Sequence, residues 1–134
     1  TYQCLMEGIK VCKPGNKLGD IGYKIQSLAE GQRFSVVRDF TGHGLGKVFH
    51  CAPTILHFGD PDQGMELKPG MFFTVEPMIN VGGYATKILS DGWTAVTRDR
   101  SLSAQFEHTI GITENGPEIF TQSKLGFNKP PYEI

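Results

Sequence analysis

The sequence has few cysteines and no excess of charge of either sign, and each shortage excludes a class of protein. Its three cysteines, Cys4, Cys12 and Cys51, are an odd number without a Cys-x-x-Cys pair. This favours reduced thiols in a cytoplasmic protein over a disulfide framework. Lys and Arg total 13 against 14 Asp and Glu, for a formal net charge of −1. We therefore expect no broad basic surface for nucleic acid.

Long hydrophobic runs are missing as well. The most apolar stretches, such as Met71-Phe72-Phe73, are far too short to cross a membrane, so we expect no membrane partner. No basic-then-apolar leader opens the chain, so nothing marks it for secretion. The chain begins at Thr1 without an initiator Met, which predicts either processing or a piece of something longer. Its 134 residues predict one domain with a real core.

The order of the predicted elements indicates an α+β fold. Apolar residues recur at helical spacing over 2–12 and again over 18–31, where Gly31 closes the second helix. Two helices followed by mostly antiparallel strands are typical of an α+β domain. The tail from about residue 122 is predicted to be irregular. Strands are predicted over 35–40, 71–79, 86–89 with 94–97 as a hairpin, 102–113 and 118–121.

A glycine-rich segment, 41–46, stands between the first predicted strand and a loop-rich middle over 53–64. Glycine occupies every second position, at 42, 44 and 46. The conformational freedom of these glycines argues against a regular helix or strand and suits a backbone that runs close to another group. The segment fails the dinucleotide fingerprint because Lys47 replaces the third glycine. It fails the phosphate-loop pattern because Val48 replaces Ser or Thr. What remains is His43, flanked by glycines and open to a ligand.

Two glutamates fall in segments that are predicted to be core strands. Glu76 follows Phe73-Thr74-Val75, and Glu107 follows Ala104-Gln105-Phe106. Glutamate is poorly suited to strands and is rarely buried without a partner. One explanation is a pair of buried salt bridges, for instance to Lys87 or Arg98. The other is a metal ion shared with His43, and residue chemistry alone leaves both open.

The remaining histidines carry a weaker signal. His50 and His57 follow His43 at intervals of seven, but Pro53 and the glycines argue against a helix that would stack them. A single histidine is more often a satisfied polar residue than a ligand. We therefore predict that His57 and His108 are hydrogen-bonded polar residues and not ligands.

Several short motifs follow one another along the chain. They are Gly42-His43-Gly44-Leu45-Gly46-Lys47-Val48-Phe49-His50 with Pro53, Leu67–Met71, Thr74–Met78, Asp91–Thr94 and Ser103–Thr109. In this order they resemble type I methionine aminopeptidase of the bacterial and organellar type. The resemblance reaches from the first helix to about Thr121 and matches only the C-terminal half of that family. It implies half of the pita-bread fold shared by creatinases and aminopeptidases, with residues 1–134 as the C-terminal half of the catalytic domain.

The resemblance implies a metal-dependent removal of N-terminal methionine from nascent proteins. Two divalent ions would activate a water that attacks the first peptide bond. His43, Glu76 and Glu107 match the family's metal ligands, with Glu107 bridging both ions. One imidazole with carboxylates suits Co, Mn, Fe or Zn.

Three residues match the family's substrate-facing positions. His50 takes the catalytic role of hydrogen-bonding the scissile amide and thereby also binds substrate. Phe49 and Trp93 correspond to residues at the pocket for the methionine side chain, and an apolar aromatic pocket suits a thioether.

One departure separates the sequence from a complete member of the family. The family's first half supplies two aspartate ligands eleven positions apart, and no two aspartates here have that spacing. The resemblance therefore implies a fragment or a half-length homologue. Its expected partners are N-terminal methionine peptides and either a missing N-terminal half or a second copy of the chain. The alternative is a non-catalytic pita-bread module that binds peptides or self-associates.

Overall fold

The structure of the protein is a computed structural model that describes residues 1–132. Two helices open the chain, as predicted. Helix α1 spans Tyr2–Lys10 and helix α2 spans Leu18–Gly31. They meet closely at Gly8, where a Cβ would lie 2.7 Å from the Ile25 side chain. No helix within residues 1–132 is long and apolar enough to span a bilayer.

The strands pair antiparallel throughout residues 1–132, which confirms the α+β prediction. A five-stranded sheet has the order β10-β9-β4-β2-β3, a three-stranded sheet β1-β5-β8, and β6 pairs with β7 alone. The strands are β1 Ser35–Val36, β2 Gly42–Gly44, β3 Cys51–Ile55, β4 Phe72–Val75, β5 Met78–Asn80, β6 Thr86–Ile88, β7 Ala95–Thr97, β8 Ser103–Gln105, β9 His108–Thr113 and β10 Gly116–Ile119.

The core forms where α1 and α2 cover the five-stranded sheet. Phe73 and Ile110, adjacent on β4 and β9, are fully buried, and Ile55 joins them from β3. The helices contribute Leu5 and Ile21, also fully buried, to the same cluster. Burying such side chains stabilises the fold by about 1.5–3 kcal/mol each. The packed core therefore holds the sheet in place, and the sheet positions the segments that follow its strands.

The prediction of one long strand over 71–79 and another over 102–113 is wrong. Each is two strands, because the chain leaves the five-stranded sheet after Val75 and re-enters it at His108. Pro77, which has no N–H to donate to a ladder, stands in the first break. The register is nevertheless the same on both sides: Val75 pairs with His108 and Met78 pairs with Gln105. The first break therefore stands opposite the second.

The glycine segment is also more regular than predicted. Gly42–Gly44 forms β2 between β3 and β4, and Pro53 lies within β3 rather than in a loop. Proline is tolerated there because β3 is the edge of its sheet. The expected close approach of backbone is confirmed. A Cβ on Gly42 or Gly44 would lie closer than 3.0 Å to a carbonyl oxygen of the neighbouring strand.

The hairpin predicted around Asp91-Gly92 is confirmed as β6 and β7. Asp91 accepts hydrogen bonds from the Trp93 and Thr94 N–H groups and so fixes the turn. The predicted strand over 35–40 is shortened to β1. Residues 122–132 contain no helix or strand, as predicted for the tail, and Glu133 and Ile134 lie outside the described residues.

Asp99 ties the base of this hairpin to the turn before it. Its carboxylate accepts hydrogen bonds from the Ser101 N–H at 3.0 Å and the Gly83 N–H at 2.7 Å. These backbone donors, Ser101 first, lower the pKa of Asp99 to about 2 from the ordinary 3.8. Because the folded pKa is the lower one, the stabilisation is complete above pH 3.8 and is lost as pH falls towards 2.

We expect Asp99→Asn to flatten the acid limb of the stability curve. The unsubstituted chain should lose free energy of unfolding between about pH 4 and pH 2, and the variant should lose less across that window. Urea denaturation at intervals through that range measures the difference. Asp60→Asn is the control, because Asp60 is an exposed aspartate that forms no salt bridge within residues 1–132. Equal slopes for Asp99→Asn and the unsubstituted chain would contradict the prediction.

Candidate metal centre

Three predicted ligands converge at one edge of the two sheets. His43 lies in β2, Glu76 directly follows β4, and Glu107 directly precedes β9. Each offers one ligand atom, and these atoms all lie within 4.8 Å of one another. A single imidazole with two carboxylates is a donor set that suits a divalent metal ion. The residues present therefore fit such an ion.

The two glutamates lie in the breaks between strands, not inside core strands as predicted. The continuous register places Glu76 opposite Glu107. Glu76 is half-buried, and Glu107 is exposed in this chain. Like charges directly opposite each other destabilise a strand pair. Their position is explained by what both carboxylates lie close to, which is the imidazole of His43.

The alternative of salt bridges to Lys87 or Arg98 is not found. Within residues 1–132, neither glutamate pairs with a lysine or arginine. Among the described residues, the close contact of the group joins His43 Nε2 to Glu76 Oε1 at 3.8 Å. Among residues 1–132, the two carboxylates therefore have no lysine or arginine partner to balance their negative charge.

The electrostatics of Glu107 reflect this crowding. Desolvation and then the neighbouring charge of Glu76 raise the pKa of Glu107, while His43 and His50 act in the opposite direction. A raised carboxyl pKa beside a second carboxylate indicates a place where a cation would bind favourably.

The ring of His43 is oriented by the backbone of the next residue, Gly44. Its Nδ1 lies 3.0 Å from the carbonyl oxygen of Gly44. A carbonyl can only accept, so Nδ1 carries a hydrogen, and Nε2 is the nitrogen that faces Glu76 and remains for a metal ion. This is the tautomer that a metal ligand needs.

His50 and Phe49 lie beside the three ligands. The ring centroid of His50 is 4.3 Å from that of His43, and the centroid of Phe49 is 5.4 Å from it. His43, His50 and Glu76 line one cavity of about 530 Å³. Trp93 is separate: it lies at the hairpin tip, 88% exposed. Its ring pairs with none of these aromatic residues in the described part of the chain.

The residues that hold Glu76 in place were not predicted from the sequence. His57, assigned to the satisfied polar class, is 1% exposed, and its Nε2 accepts a hydrogen bond from the Glu76 N–H at 3.0 Å. Burial lowers the pKa of His57 to about 4, so the ring is neutral at pH 7 and able to accept. Gln105 donates from Nε2 to Glu76 Oε2 at 3.3 Å. The Thr74 hydroxyl also donates to Glu76 Oε1, and the spacing Thr74-x-Glu76, which favours two side chains on one face, was a signal for this contact alone.

His108 is a satisfied polar residue, as predicted. Its Nδ1 lies 2.8 Å from the hydroxyl oxygen of Thr121. Burial lowers the pKa of His108. It is not among the three candidate ligands.

Comparison with known proteins gives consistent results. Residues 1–114 match the model of metallopeptidase family M24. A methionine aminopeptidase of Rickettsia prowazekii is 63% identical over 134 residues, covering 98% of this chain and 51% of that protein. A crystal structure of the Rickettsia prowazekii enzyme superposes with a TM-score of 0.89 at 63% identity, covering 91% of this chain and 50% of that one.

A second solved structure, a methionine aminopeptidase from Thermotoga maritima, gives a TM-score of 0.90 at 46% identity. It covers 92% of this chain and 49% of that one. The prediction of half of the pita-bread fold is thereby confirmed. The chain spans about half the length of the curated relatives it matches.

Proposed function

Because the chain belongs to metallopeptidase family M24, we propose that it is the C-terminal portion of a type I methionine aminopeptidase. The proposed reaction is the metal-dependent removal of N-terminal methionine from nascent proteins, in the cytoplasm. The observation that carries the proposal is the convergence of His43, Glu76 and Glu107 within 4.8 Å. The similarity to methionine aminopeptidases over nearly the whole chain supports the substrate.

In this proposal His43 and the carboxylates of Glu76 and Glu107 would hold divalent metal. Such ions, Co, Mn, Fe or Zn, would supply a water of lowered pKa and an electrophile for the peptide carbonyl. The chain's own contribution is orientation. The Gly44 carbonyl fixes the tautomer of His43, and His57 with Gln105 fixes Glu76.

His50 is the proposed catalytic and substrate-binding residue of this chain. It is exposed beside His43 and lines the same cavity, so an imidazole N–H can reach a peptide amide bound there. Phe49, 69% exposed, packs its ring 4.5 Å from that of His50. Its face is available to an apolar side chain such as methionine.

Trp93 stays in the proposed methionine pocket only through the family resemblance. In this chain its ring is fully accessible at the hairpin tip. An indole held this far from other apolar groups needs further protein or substrate against it to form a pocket wall. The proposal therefore places the completion of the pocket outside this chain.

The portion beyond this chain is proposed to supply the remaining ligands. The two aspartates that the family takes from its other half have no counterpart at that spacing here. Large apolar side chains lie exposed, including Leu102 at 79% and Val48 at 63%. Surfaces of this kind are typical of interfaces. The proposed partner is the N-terminal half, or else a second copy of this chain.

We expect the isolated chain to show little methionyl peptidase activity, because three ligands do not complete a paired metal site. The measurement is cleavage of a Met-Ala-Ser peptide with added Co, Mn, Fe or Zn. A protein that joins this chain to the first half of the Rickettsia relative is the matched positive control. Turnover by the isolated chain at ordinary rates, about 1–10³ s⁻¹, would contradict the prediction.

The joined protein also tests the function itself. It should release methionine from the peptide, and His50→Ala should lower that turnover without removing bound metal. Absence of methionine release from a folded, metal-loaded joined protein would refute the proposed activity. A non-catalytic module would give that result.

A further inference from the structure

Thr74 lies between two of the candidate ligands. It is on β4, 2% exposed, and adjacent to β2. Its Oγ1 lies 3.0 Å from the backbone nitrogen of His43 and 2.7 Å from Glu76 Oε1. One hydroxyl thus touches both residues.

The direction of these two hydrogen bonds is fixed by their chemistry. The His43 N–H can only donate, so it uses a lone pair of Thr74 Oγ1. The ionised carboxylate of Glu76 can only accept, so the single hydroxyl hydrogen of Thr74 points to Oε1. Hydrogen bonds in such a series strengthen one another, and the bond to the charged oxygen is the stronger kind.

The hydroxyl leaves both ligands available for a cation. Glu76 Oε1 keeps one further lone-pair direction, since each carboxylate oxygen has about two. His43 is held through its backbone, and its Nε2 stays free of the bond. A donor to a ligating carboxylate restricts its rotation and lowers the entropy lost when an ion binds.

We propose that Thr74 is a positioning residue that fixes His43 and Glu76 relative to each other through its hydroxyl. The inference rests on the proposed metal-dependent function. His57 acts on a different part of the same residue, because it accepts from the backbone N–H of Glu76. Thr74 controls the carboxylate itself and links it to the neighbouring strand.

The test substitutes Thr74 in the present chain and measures Mn²⁺ binding by calorimetry and by electron paramagnetic resonance. Thr74→Val keeps the side-chain shape and removes the hydroxyl, and affinity should fall about 10–100-fold. Thr74→Ser keeps the hydroxyl and should restore most of the affinity. Thr97→Val is the control. Thr97 is also a buried strand threonine, whose hydroxyl donates to the Ser101 carbonyl away from the three ligands.

Amide hydrogen exchange at His43 supplies a readout without metal. Thr74→Val should accelerate exchange of the His43 N–H, Thr74→Ser should not, and Thr97→Val should leave it unchanged. Lost affinity with unchanged exchange at His43 would show that the hydroxyl is not the link, and would overturn the proposal.

The outcomes separate this inference from the function it rests on. Mn²⁺ binding by the unsubstituted chain, with equal affinity in Thr74→Val, overturns the role of Thr74 alone. No Mn²⁺ binding by the unsubstituted chain overturns the proposed metal site in this chain. Exchange at His43 then decides the positioning role, and equal exchange in Thr74→Val and the unsubstituted chain overturns it.

Discussion

Substitution of Glu107 by alanine is expected to weaken Mn²⁺ binding by this chain more than about 100-fold. Residues that merely support ligands change affinity about 10–100-fold, so removal of a ligand should exceed that range. Only His43 and Glu76 would remain, and the carboxylate that stands opposite Glu76 would be gone. In the protein joined to the first half, methionine release should fall at least about 1000-fold, equivalent to about 4 kcal/mol.

The measurements are calorimetric titration for the chain and peptide cleavage for the joined protein. Glu114→Ala is the matched control, because Glu114 is an exposed glutamate in the turn between β9 and β10 and is not one of the three ligands. Thermal unfolding of both variants checks that each remains folded. Equal Mn²⁺ affinity in Glu107→Ala and the unsubstituted chain would show that Glu107 is not a ligand.

The second large effect is expected from Gly44→Ala. A Cβ there would lie 2.6 Å from the carbonyl carbon of Ala52 and closer still to its oxygen. Both are backbone atoms of β3, so the two strands would have to separate. Overpacking of this kind costs about 1–3 kcal/mol, and more where backbone must move. We expect a loss of about 3 kcal/mol or more in the free energy of unfolding.

The chain offers a control two residues away. A Cβ on Gly46 would meet only the Cys51 sulfur, at 3.9 Å, which is an ordinary contact. Gly46→Ala should therefore change stability little in urea denaturation. Gly44→Ala should also weaken metal binding, because the Gly44 carbonyl orients His43. Similar denaturation midpoints for the two variants would refute the steric argument.

The helices and the hairpin could be predicted because their signals are local. Apolar spacing in α1 and α2 and the Asp91-Gly92 turn act within a few residues. The breaks at Glu76 and Glu107 could not be predicted in the same way. A strand that leaves one sheet for another keeps its apolar character, so the periodicity continues across the change.

The candidate ligands were found from the unusual placement of Glu76, Glu107 and His43, and from the family resemblance. The support around them was not found. His57 contacts Glu76 across 19 residues of sequence, and Thr74 contacts His43 across 31. Such contacts depend on which strands become neighbours, and composition and spacing do not specify this. The close approach of backbone at Gly42 was predicted correctly. The strand that contains Gly42 was not predicted, because its regular structure comes from pairing with β3 and not from its own residues.

The facing breaks in the two strands have a thermodynamic consequence. They are the point where the five-stranded and three-stranded sheets meet, and two carboxylates stand opposite each other there. An ion held at the proposed site would offset their repulsion and would join the two sheets at that point. Ion binding would then be coupled to the angle between the sheets, and such a coupling is reciprocal. A partner that holds the sheets at the angle the ion favours would raise the affinity for the ion, and the ion would strengthen the binding of that partner by the same factor.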